Sequence, residues 1–540
     1  MTLDLPTTES PTTAATSPWW KGAVIYQIYP RSFADSNGDG IGDLKGATDH
    51  LDHVAALGCD GAWLSPFFTS PMKDFGYDVA DYCGVDPIFG TLDDFDALVA
   101  RAHELGLKVM IDQVYSHSSD QHPWFLESRS SRDNEKADWY VWADAKPDGS
   151  PPNNWQSVFG GPSWTWDARR EQFYHHSFLK DQPQLNLHNL AVQDALLEVA
   201  EFWLDRGVDG FRLDALNFAM HDPSLTDNPP VANPPKRTRP FDFQHHIHNQ
   251  GHADIPRFIE RVRALTDRYD ARFTVAEVGG ERAPSEMKLY TAGDDRLNSA
   301  YGFDYLYADT LTPEVVRETI RGWPGGTGEG WPSWAFSNHD APRFASRWWD
   351  EERRDPCLRV ALMLLMSLRG NVILYQGEEL GLPQAHVPFE YLQDPEAIAN
   401  WPQTLGRDGA RTPMPWNDAP DGGFGSGRPW LPLDPAHRLF NVDGQSSDAN
   451  SILNWTRRLI AVRNANPALR EGAIRLLDRS SDQIVAFERI LSGERIACVF
   501  NLSDAAAINP VRGGEALIEV GGADPAAPHL PPASGYIARC

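Results

Sequence analysis

The sequence predicts an α/β protein whose centre is a closed ring of eight parallel strands alternating with helices. Three observations support this fold. Short apolar runs recur along the chain, at residues 23–28, 61–64, 108–114, 210–213, 273–278, 301–306, 334–337 and 371–375. Stretches with apolar residues three and four apart lie between several of these runs, as amphipathic helices require. Alternating strands and helices favour a parallel sheet, and eight strands are the number that closes a (β/α)8 TIM barrel.

Helical spacing and irregular stretches divide the chain further. The clearest predicted helices cover residues 92–105, 191–205 and 256–270. Residues 116–185 lack this spacing and are rich in Trp, Asn, Pro and Gly, which predicts a subdomain inserted after the third strand; an irregular stretch at 222–252 is expected near the entrance. The expected units are a disordered tail (1–18), a barrel in two parts (19–115 and 186–469), the inserted subdomain B (116–185) and a C-terminal antiparallel β domain (470–540).

Composition argues against two classes of partner. Hydrophobic residues make up 41% of the chain, but no run approaches the ~20 apolar residues that span a bilayer, so no membrane partner is expected. The formal net charge of −27 repels nucleic-acid phosphates, and no basic stripe reverses it locally. The expected partner is a small molecule, bound by a monomer or a homodimer.

The cysteines and the N-terminal residues favour a cytoplasmic protein. The 5 cysteines are an odd number without a Cys-x-x-Cys pair, so neither a disulfide framework nor a zinc site is predicted. Free thiols in a reducing compartment are the expectation. Residues 1–18 lack the basic segment and the apolar run of a secretory signal.

Carboxylates accompany four of the predicted strands. Asp112 and Glu277 lie near the ends of the third and fifth runs, and Asp214 and Asp340 follow the fourth and seventh. In barrels of this kind the reactive groups stand where strands end, at the C-terminal face. A single carboxylate there is more often a helix cap or half of an ion pair. Four carboxylates at equivalent positions of separate strands indicate a site. Gathering unpaired acids around the barrel axis costs free energy unless a function or paired partners compensate.

A pair of acids on neighbouring strands suits one reaction in particular. Hydrolysis of a glycosidic bond needs one carboxylate to attack the anomeric carbon and one carboxylic acid to protonate the leaving oxygen; in retaining enzymes the two are ~5–5.5 Å apart. Asp214 and Glu277 can supply this pair. Arg212 points to the same side of its strand as Asp214 and is expected to hold that carboxylate ionised.

These segments resemble the conserved regions of glycoside hydrolase family 13, the α-amylase family, and in particular its α-glucosidase and oligo-1,6-glucosidase branch. The similarity runs from Trp19 and Trp20 through residues 182–186 to residues 406–416 and covers most of the chain. It implies an exo-acting retaining α-glucosidase that binds small sugars, with Asp214 as nucleophile, Glu277 as general acid/base and Asp340 as a third catalytic acid.

The same resemblance implies a set of residues that bind one glucose unit. His117, His339 and Arg212 would hydrogen-bond the sugar, while Asp112 would be a structural partner of the arginine. Asp74 and Tyr77 match residues that close the far end of the pocket, with Asp74 paired to Arg407. A closed end makes an enzyme exo-acting. No organic cofactor is implied.

A loop near the first strand has the spacing of a cation site. Its oxygen donors stand at positions 1, 3, 5, 7 and 9, namely Asp35, Asn37, Asp39, the carbonyl of Ile41, and Asp43. Position 12 is Gly46 instead of the Glu of an EF-hand. Related α-glucosidases carry such a loop, so a structural Ca²⁺ or Mg²⁺ is predicted; the alternative is an Asx-rich turn that satisfies its own backbone. The histidines at 245, 246 and 248 are expected to lie in a solvated loop without a metal.

Three residues depart from the commonest family pattern. Ser116 stands where Asn usually precedes the first histidine, and Gln184 where Asp is frequent. Ala215 follows the predicted nucleophile, whereas enzymes that prefer α-1,6 links resemble one another in having Val there. A smaller side chain leaves more room for the leaving group, which favours maltose-type α-1,4 disaccharides and sucrose-like substrates.

Several alternatives stay open at this stage. Within the family they are a sucrose hydrolase, a trehalose synthase and a sucrose isomerase, although the Arg-Leu-Asp-Arg-Asp motif shared by sucrose isomerases does not occur in this chain. Transglucosylation is expected as a side reaction, because any acceptor that outcompetes water can capture a covalent glucosyl-enzyme. An inactive scaffold homologue is the alternative from another class, but such proteins lack one or more of the carboxylates present here.

Overall fold

The computed structural model describes residues 17–232, 239–323, 330–402, 406–477 and 481–540. The tail predicted at 1–18 therefore lies almost entirely outside the described residues, as does part of the irregular stretch 222–252.

Eight parallel strands form the centre of the protein. They are β1 (Val24–Ile28), β2 (Gly61–Leu64), β3 (Lys108–Gln113), β4 (Gly210–Leu213), β5 (Phe273–Glu277), β6 (Ser299–Tyr301), β7 (Ser333–Ala335) and β8 (Asn371–Tyr375). Their order in the sheet is β6-β5-β4-β3-β2-β1-β8-β7. A parallel bridge between Ala300 and Pro332 joins β6 to the residue before β7 and closes the ring. The predicted (β/α)8 barrel is confirmed.

The sixth strand is the one whose position differs most from the prediction. It covers Ser299–Tyr301, whereas the apolar run suggested 301–306. Tyr305 and Leu306 are fully packed in the core although their backbone forms a turn. An apolar run reports burial, and burial does not require extended backbone.

Helices surround the barrel and begin at recognisable caps. They include α1 (Leu44–Asp49), α2 (Leu51–Leu57), α3 (Leu92–Glu104), α4 (Leu190–Asp205), α5 (Ile255–Thr266), α6 (Ala283–Tyr290), α7 (Pro313–Gly322), α8 (Arg354–Ser367), α9 (Pro395–Asn400) and α10 (Ile452–Ala465). Further short helices lie at Pro123–Ser128, Phe344–Arg347, Val442–Ser447 and Pro467–Glu471. Thr91 and Asp94 form a capping box at the start of α3. The side chain of Asn189 accepts from the amide of Ala191 at the start of α4.

The predicted subdomain after β3 is present and has its own core. It contains a three-stranded antiparallel sheet built from Trp142–Ala143, Trp164–Asp167 and Gln172–His175. Trp155 is fully buried and stacks on Trp164, with ring centroids 5.9 Å apart. These two tryptophans are therefore packing residues of the subdomain core, so aromatic composition here reflects folding as well as ligand binding.

The C-terminal β domain packs against the barrel helices. Its strands β9 (Ala473–Leu476), β10 (Ile484–Leu491), β11 (Glu494–Asn501), β12 (Glu515–Val520) and β13 (Ser534–Arg539) form an antiparallel sheet in the order β9-β10-β11-β13-β12, and a small two-stranded sheet joins Ala507–Ile508 to His529–Leu530. Fully buried Arg489 in β10 ties this domain to the end of α8, since it donates to the carbonyl of Ser367 at 2.8 Å. Arg463 in α10, also fully buried, donates to the carbonyl of Met366 at 2.6 Å beside it.

The described part of the chain contains no helix that is both long and apolar enough to cross a membrane. All five cysteines are free thiols.

Candidate active site

A cavity of about 890 Å³ opens at the C-terminal ends of the barrel strands. Its lining includes seven of the residues that the sequence proposed for a sugar site: Asp74, Tyr77, His117, Asp214, Glu277, Asp340 and Arg407. The other two, Arg212 and His339, are fully buried directly behind this lining. The structure thus brings all nine together.

Arg212 in β4 organises the acids at the floor of the cavity. Its Nη1 lies 2.6 Å from Oδ1 of Asp112 and 2.5 Å from Oδ1 of Asp214, and its Nη2 lies 2.6 Å from Oε2 of Glu277. The register of β4 and β5 pairs Leu213 with Ala276, so Asp214 and Glu277 follow at the same level on adjacent strands. One guanidinium therefore holds both acids beside each other.

Two further groups orient Glu277. The hydroxyl of Tyr301 in β6 donates to its Oε1 at 3.1 Å, and the amide of Ala215 donates to its Oε2 at 3.2 Å. Ala215 has a left-handed backbone, with φ of +39°, a conformation that is uncommon outside glycine. Sequence reasoning did not select Tyr301, although its place at the end of the sixth strand was an available signal.

Burial dominates the electrostatics of Asp214. Burial raises the pKa of Asp214 well above its ordinary value, Arg212 lowers it, and the nearby charges of Glu277 and Asp112 raise it. Arg212 thus favours the ionised form of Asp214, which is the direction expected from the sequence, although its guanidinium is shared among three acids. Burial also raises the pKa of Asp112 to about 6, against the opposing effect of Arg212.

Asp340 has the opposite electrostatic environment. Burial would raise its pKa, but His339, Arg411 and Arg407 together lower the pKa of Asp340 below the ordinary range. Nη2 of Arg411 lies 2.6 Å from its Oδ1 and Nη1 of Arg407 lies 3.3 Å away. Asp340 is therefore a carboxylate, able to accept hydrogen bonds from hydroxyl groups. The sequence did not single out Arg411, because no pattern within residues 406–416 indicates a contact with the acid that follows β7.

The two histidines are neutral at physiological pH. Burial lowers the pKa of both His117 and His339 to about 3. The His339 ring stacks against Tyr77 and Tyr29, with centroids 5.4 and 5.6 Å away. Nε2 of His117 lies 3.1 Å from Nε2 of Gln182. Neutral imidazoles of fixed orientation are suited to hydrogen bonds with a sugar.

Arg407 closes the far end of the cavity. Its Nη2 lies 2.8 Å from Oδ1 of Asp74 and 2.8 Å from Oδ1 of Asp394, a fully buried acid at the start of α9. Nε2 of Gln182 donates to the other oxygen of Asp74 at 3.1 Å. Asp394 was not selected from the sequence, because an isolated Asp before a helix is typical of an ordinary cap.

The opposite wall of the cavity is aromatic. It is formed by Phe178, Phe218, Phe241, His246, Phe303 and Tyr307. The rings of Phe241 and His246 stack with centroids 3.6 Å apart. The expectation of a solvated histidine loop is thus wrong for His246, which lies in this wall, whereas His245 is partly exposed and its Nδ1 lies 2.6 Å from Oε2 of Glu281.

The loop proposed to bind a cation contains two buried carboxylates, Asp35 and Asp43. Oδ1 of Asp35 accepts from the amide of Gly38 at 2.6 Å, and Oδ1 of Asp43 accepts from the amide of Gly46 at 2.6 Å. Within the described residues, no Lys or Arg nitrogen lies within 4.0 Å of either carboxylate. Oδ1 of Asp35 also accepts from the amide of Asn37, and Oδ1 of Asp43 from the hydroxyl of Ser36, as the Asx-rich turn requires. In the described part of the chain the two buried negative charges nevertheless have no cationic side chain, and a set of oxygen donors fits a divalent cation that would neutralise them.

A second group of metal-ligating side chains lies at the starts of α4 and α5. His188, His252 and Asp254 have ligand atoms within 4.8 Å of one another. Nδ1 of His252, however, accepts from the amide of Asp254 at 3.2 Å, and Arg257 forms an ion pair with that carboxylate at 3.2 Å. The positive ends of two helices also face this point, which disfavours a cation.

Comparison with known proteins identifies the family of the chain. Residues 27–472 match the model of the α-amylase catalytic domain. The chain belongs to glycoside hydrolase family 13. Among curated relatives, a probable α-glucosidase of Rhizobium meliloti (strain 1021) is 54% identical over 91% of this chain and 90% of its own, and an oligo-1,6-glucosidase of Parageobacillus thermoglucosidasius is 36% identical over 90% and 91%. The protein is thus a glycoside hydrolase of the α-glucosidase branch, as the sequence resemblance predicted.

Solved structures from the same family superpose closely on this chain. The α-glucosyl transfer enzyme XgtA is 48% identical with a TM-score of 0.92, over 97% of this chain and 100% of its own. A variant of the trehalulose synthase MutB is 33% identical with a TM-score of 0.89, again over 97% and 100%. Relatives in this family are thus named as glucosidases, as a glucosyl transfer enzyme and as a trehalulose synthase. Family membership alone therefore does not assign one of these activities to the chain.

Proposed function

We propose that this family 13 enzyme is an exo-acting retaining α-glucosidase that releases glucose from the non-reducing end of small α-glucosides. The single observation that carries the proposal is the position of Asp214 and Glu277 on adjacent strands, held by the two terminal nitrogens of Arg212 at 2.5 and 2.6 Å. That arrangement supports two carboxyl groups acting on one bond at the short separation of retaining enzymes.

The proposed reaction has two steps. Asp214 attacks the anomeric carbon as a carboxylate and forms a glucosyl ester, while Glu277 delivers its proton to the glycosidic oxygen and the leaving group departs. In the second step the Glu277 carboxylate takes a proton from water, the water oxygen attacks the anomeric carbon, and Asp214 leaves as a carboxylate. Tyr301 and the Ala215 amide keep Glu277 directed at this bond.

The remaining polar groups suit recognition of a single glucose. Asp340, the neutral His117 and His339, and Tyr77 would bind its hydroxyls, and Asp340 would favour ring distortion. The ion pair of Asp74 with Arg407 closes the pocket behind this sugar. A closed far end supports removal of one terminal glucose and disfavours cleavage inside a chain.

The leaving-group side suits small aglycones, including sugars, whose rings have C–H faces that stack on aromatic side chains. Ala215 lines the cavity and, being small, leaves room beside Asp214. The aromatic wall of Phe218, Phe241 and His246 offers apolar faces. We therefore propose maltose-type α-1,4 disaccharides and sucrose-like substrates, with transfer to alcohols as a side reaction. The name of the 48% identical XgtA, a glucosyl transfer enzyme, is consistent with such transfer.

The rival functions make different products from the same sugars. A sucrose hydrolase would differ only in its preferred leaving group, whereas a sucrose isomerase or a trehalose synthase would retain both sugar units. The sequence lacks the Arg-Leu-Asp-Arg-Asp motif of sucrose isomerases. An inactive scaffold is disfavoured because Asp214, Glu277 and Asp340 are all present around one cavity.

An NMR time course with maltose, isomaltose, sucrose and trehalose as separate substrates tests the proposal. Sucrose should release its glucose as the α anomer, with β-glucose appearing only by mutarotation. Maltose should release its terminal glucose as the α anomer, beside a reducing-end glucose that keeps the anomeric mixture of the substrate. Early β-glucose from sucrose, or more β-glucose from maltose than its reducing end supplies, would contradict retention. Accumulation of trehalose, isomaltulose or trehalulose from a single sugar would move the assignment to an isomerase, and no conversion of any substrate by the folded protein would favour the scaffold.

We also propose that the loop of Asp35, Asn37, Asp39, Ile41 and Asp43 binds a structural Ca²⁺ or Mg²⁺. The two buried carboxylates without a cationic side chain support this. The cation would stabilise the loop before α1, where Asp43 also caps the helix, and would take no part in the reaction.

A further inference from the structure

The turn that supplies Asp74 and Tyr77 has a strained backbone. Three of its residues have left-handed φ angles: Met72 at +60°, Phe75 at +51° and Gly76 at +107°. A bulky residue such as Phe75 rarely adopts this conformation, which costs on the order of 1 kcal/mol or more. Since the strained Phe75 lies between Asp74 and Tyr77, contacts elsewhere must hold the turn in shape.

Hydrogen bonds hold the backbone of this turn on both sides of Phe75. The buried carboxylate of Asp78 accepts from the amides of Lys73 and Asp74, each at 2.9 Å. After Phe75, the amide of Tyr77 donates to the carbonyl of Asp74 at 3.1 Å, and the carbonyl of Tyr77 lies 3.2 Å from Nε2 of His117. None of these bonds involves Phe75 itself, so its left-handed backbone depends on its side-chain contacts.

The side chain of Phe75 contacts two guanidinium groups. Cζ of Arg31 lies 5.4 Å from the centroid of its ring, and Cζ of Arg411 lies 5.6 Å away. The ring of Trp430 packs against Phe75 at 5.3 Å and also lies under Arg31 at 4.9 Å. Phe75 is 9% exposed, so these contacts are largely shielded from water, where attraction between a cation and an aromatic face is strongest.

Arg31 has aromatic rings as its side-chain contacts. It is 8% exposed. In the described ranges its side chain makes no hydrogen bond, no carboxylate oxygen lies within 4.0 Å, and its Nε is buried without a partner. Asp86 and Asp39 stabilise its charge only from a longer distance, so the aromatic faces of Phe75 and Trp430 are the groups that compensate its burial by direct contact. Arg411, by contrast, also binds Asp340 at 2.6 Å.

We propose that Arg31 and Arg411 clamp the ring of Phe75 and thereby fix the far wall of the glucose pocket. Phe75 and Arg31 are positioning residues: they touch no sugar, but they hold Asp74 against Arg407 and Tyr77 against His339. Arg411 contacts both Phe75 and Asp340, so the clamp also links the far wall to the third acid. The proposal rests on the function proposed above, because it assigns the clamp to a glucose-binding wall.

The test compares Phe75→Leu and Arg31→Met with wild type, using nitrophenyl α-glucoside and nitrophenyl α-xyloside, which lacks the hydroxymethyl group. Loss of the contact between Arg31 and the ring of Phe75 should raise KM for the glucoside about tenfold. The fall in kcat should be smaller, because Asp214 and Glu277 are unchanged. The preference for glucoside over xyloside should fall with it. Phe75→Tyr and Arg31→Lys keep the interaction and should retain most of the wild-type KM.

A matched control and a second measurement separate the possible failures. Phe125→Leu removes another buried phenylalanine beside an arginine, with Cζ of Arg129 at 5.4 Å, and should leave KM unchanged. Hydrogen exchange measures the turn without turnover: the amide of Tyr77, which donates to the carbonyl of Asp74 across Phe75 at 3.1 Å, should exchange faster in Phe75→Leu and Arg31→Met only. Unchanged exchange, or faster exchange with unchanged KM and sugar preference, would overturn the proposal. A wild-type protein inactive on both glycosides would overturn the proposed function, while exchange would still decide whether the clamp holds the turn.

Discussion

Single residues set the charge balance of the cavity. Arg212 contacts Asp112, Asp214 and Glu277, so three acids share one positive charge. Asp340, in contrast, is one acid between Arg407 and Arg411. The shared arginine holds Asp214 and Glu277 beside each other, whereas the two arginines keep Asp340 ionised for hydrogen bonding.

Replacing Glu277 by Gln should separate the two steps of the reaction. Turnover of maltose should fall about 10²–10⁴-fold, because its poor leaving group needs a proton. With α-glucosyl fluoride, whose leaving group needs little assistance, the first step should survive and the covalent glucosyl-enzyme should accumulate. Mass spectrometry of the quenched reaction detects that species. Glu260→Gln, at an exposed ion pair with Arg296, is the control; equal loss on both substrates without an adduct would contradict the assigned role.

Replacing Ala215 by Val should shift the preference of the enzyme towards isomaltose relative to maltose. The branched side chain narrows the space beside Asp214, and the resemblance to α-1,6-preferring enzymes points the same way. Because Ala215 has φ of +39°, a β-branched residue there should also reduce the free energy of unfolding by about 1–2 kcal/mol. The ratio of kcat/KM for the two disaccharides and the denaturation midpoint measure the effects. Ala215→Ser should keep the ratio; an unchanged ratio in Ala215→Val would remove Ala215 from the specificity argument.

At the scale of elements, the positions of the strands explain which parts of the site were visible in the sequence. Asp214 and Glu277 each come at the end of a buried strand, and strand order alone brings them together. The positions of Tyr301 and Asp340 relative to the cavity are set by where β6 and β7 end. The apolar pattern placed β6 too late, at 301–306, and extended β7 to residue 337. Asp394 and Arg411 lie in loop segments after β8 that have no regular period, so no local pattern connects them to the cavity.

The loop before α1 gives a prediction at this scale. If Asp35 and Asp43 bind a divalent cation, removing it with a chelator should lower the free energy of unfolding by about 2.7 kcal/mol. The reference is the protein at a free cation concentration about one hundred times the Kd. Thermal denaturation with and without chelator measures this, together with metal analysis of the dialysed protein. Asp35→Asn and Asp43→Asn should abolish the response, whereas Asp49→Asn, at the exposed end of α1, should keep it. A melting temperature indifferent to chelator, with no bound metal, would favour the self-satisfied Asx turn.

Considered as a whole, the molecule has one continuous apolar core. A single cluster of buried apolar residues runs through the barrel, the inserted subdomain and the C-terminal sheet, and each of the three also has a smaller cluster of its own. The cavity lies where the barrel meets the inserted subdomain. Arg489 adds a polar link to the C-terminal domain, since it satisfies the carbonyl of Ser367 at the end of α8.

The buried histidines predict how stability depends on pH. Burial lowers the pKa of His122 and His221 to about 3, compared with an ordinary 6.5. Between these values the unfolded chain binds protons that the folded chain does not, so the free energy of unfolding should fall as pH is lowered from about 6.5 towards 3. Urea denaturation at pH 7, 6 and 5 measures the slope. His221→Gln should reduce it, while replacement of the exposed His386 should not; an equal slope in His221→Gln would contradict the prediction.

The amino-acid sequence alone determined the barrel, the inserted and C-terminal domains, the family, and the residues proposed to act on the sugar. These follow from local patterns: apolar periodicity, carboxylates after strands, and motifs within a few residues. Tertiary structure alone decided that Arg212 serves three acids, that Asp394 and Arg411 complete the pocket, that His246 joins its wall, and that Phe75 lies against Arg31 and Arg411. Those relations join residues tens to hundreds of positions apart, and their energies depend on burial and distance, which only the folded chain defines.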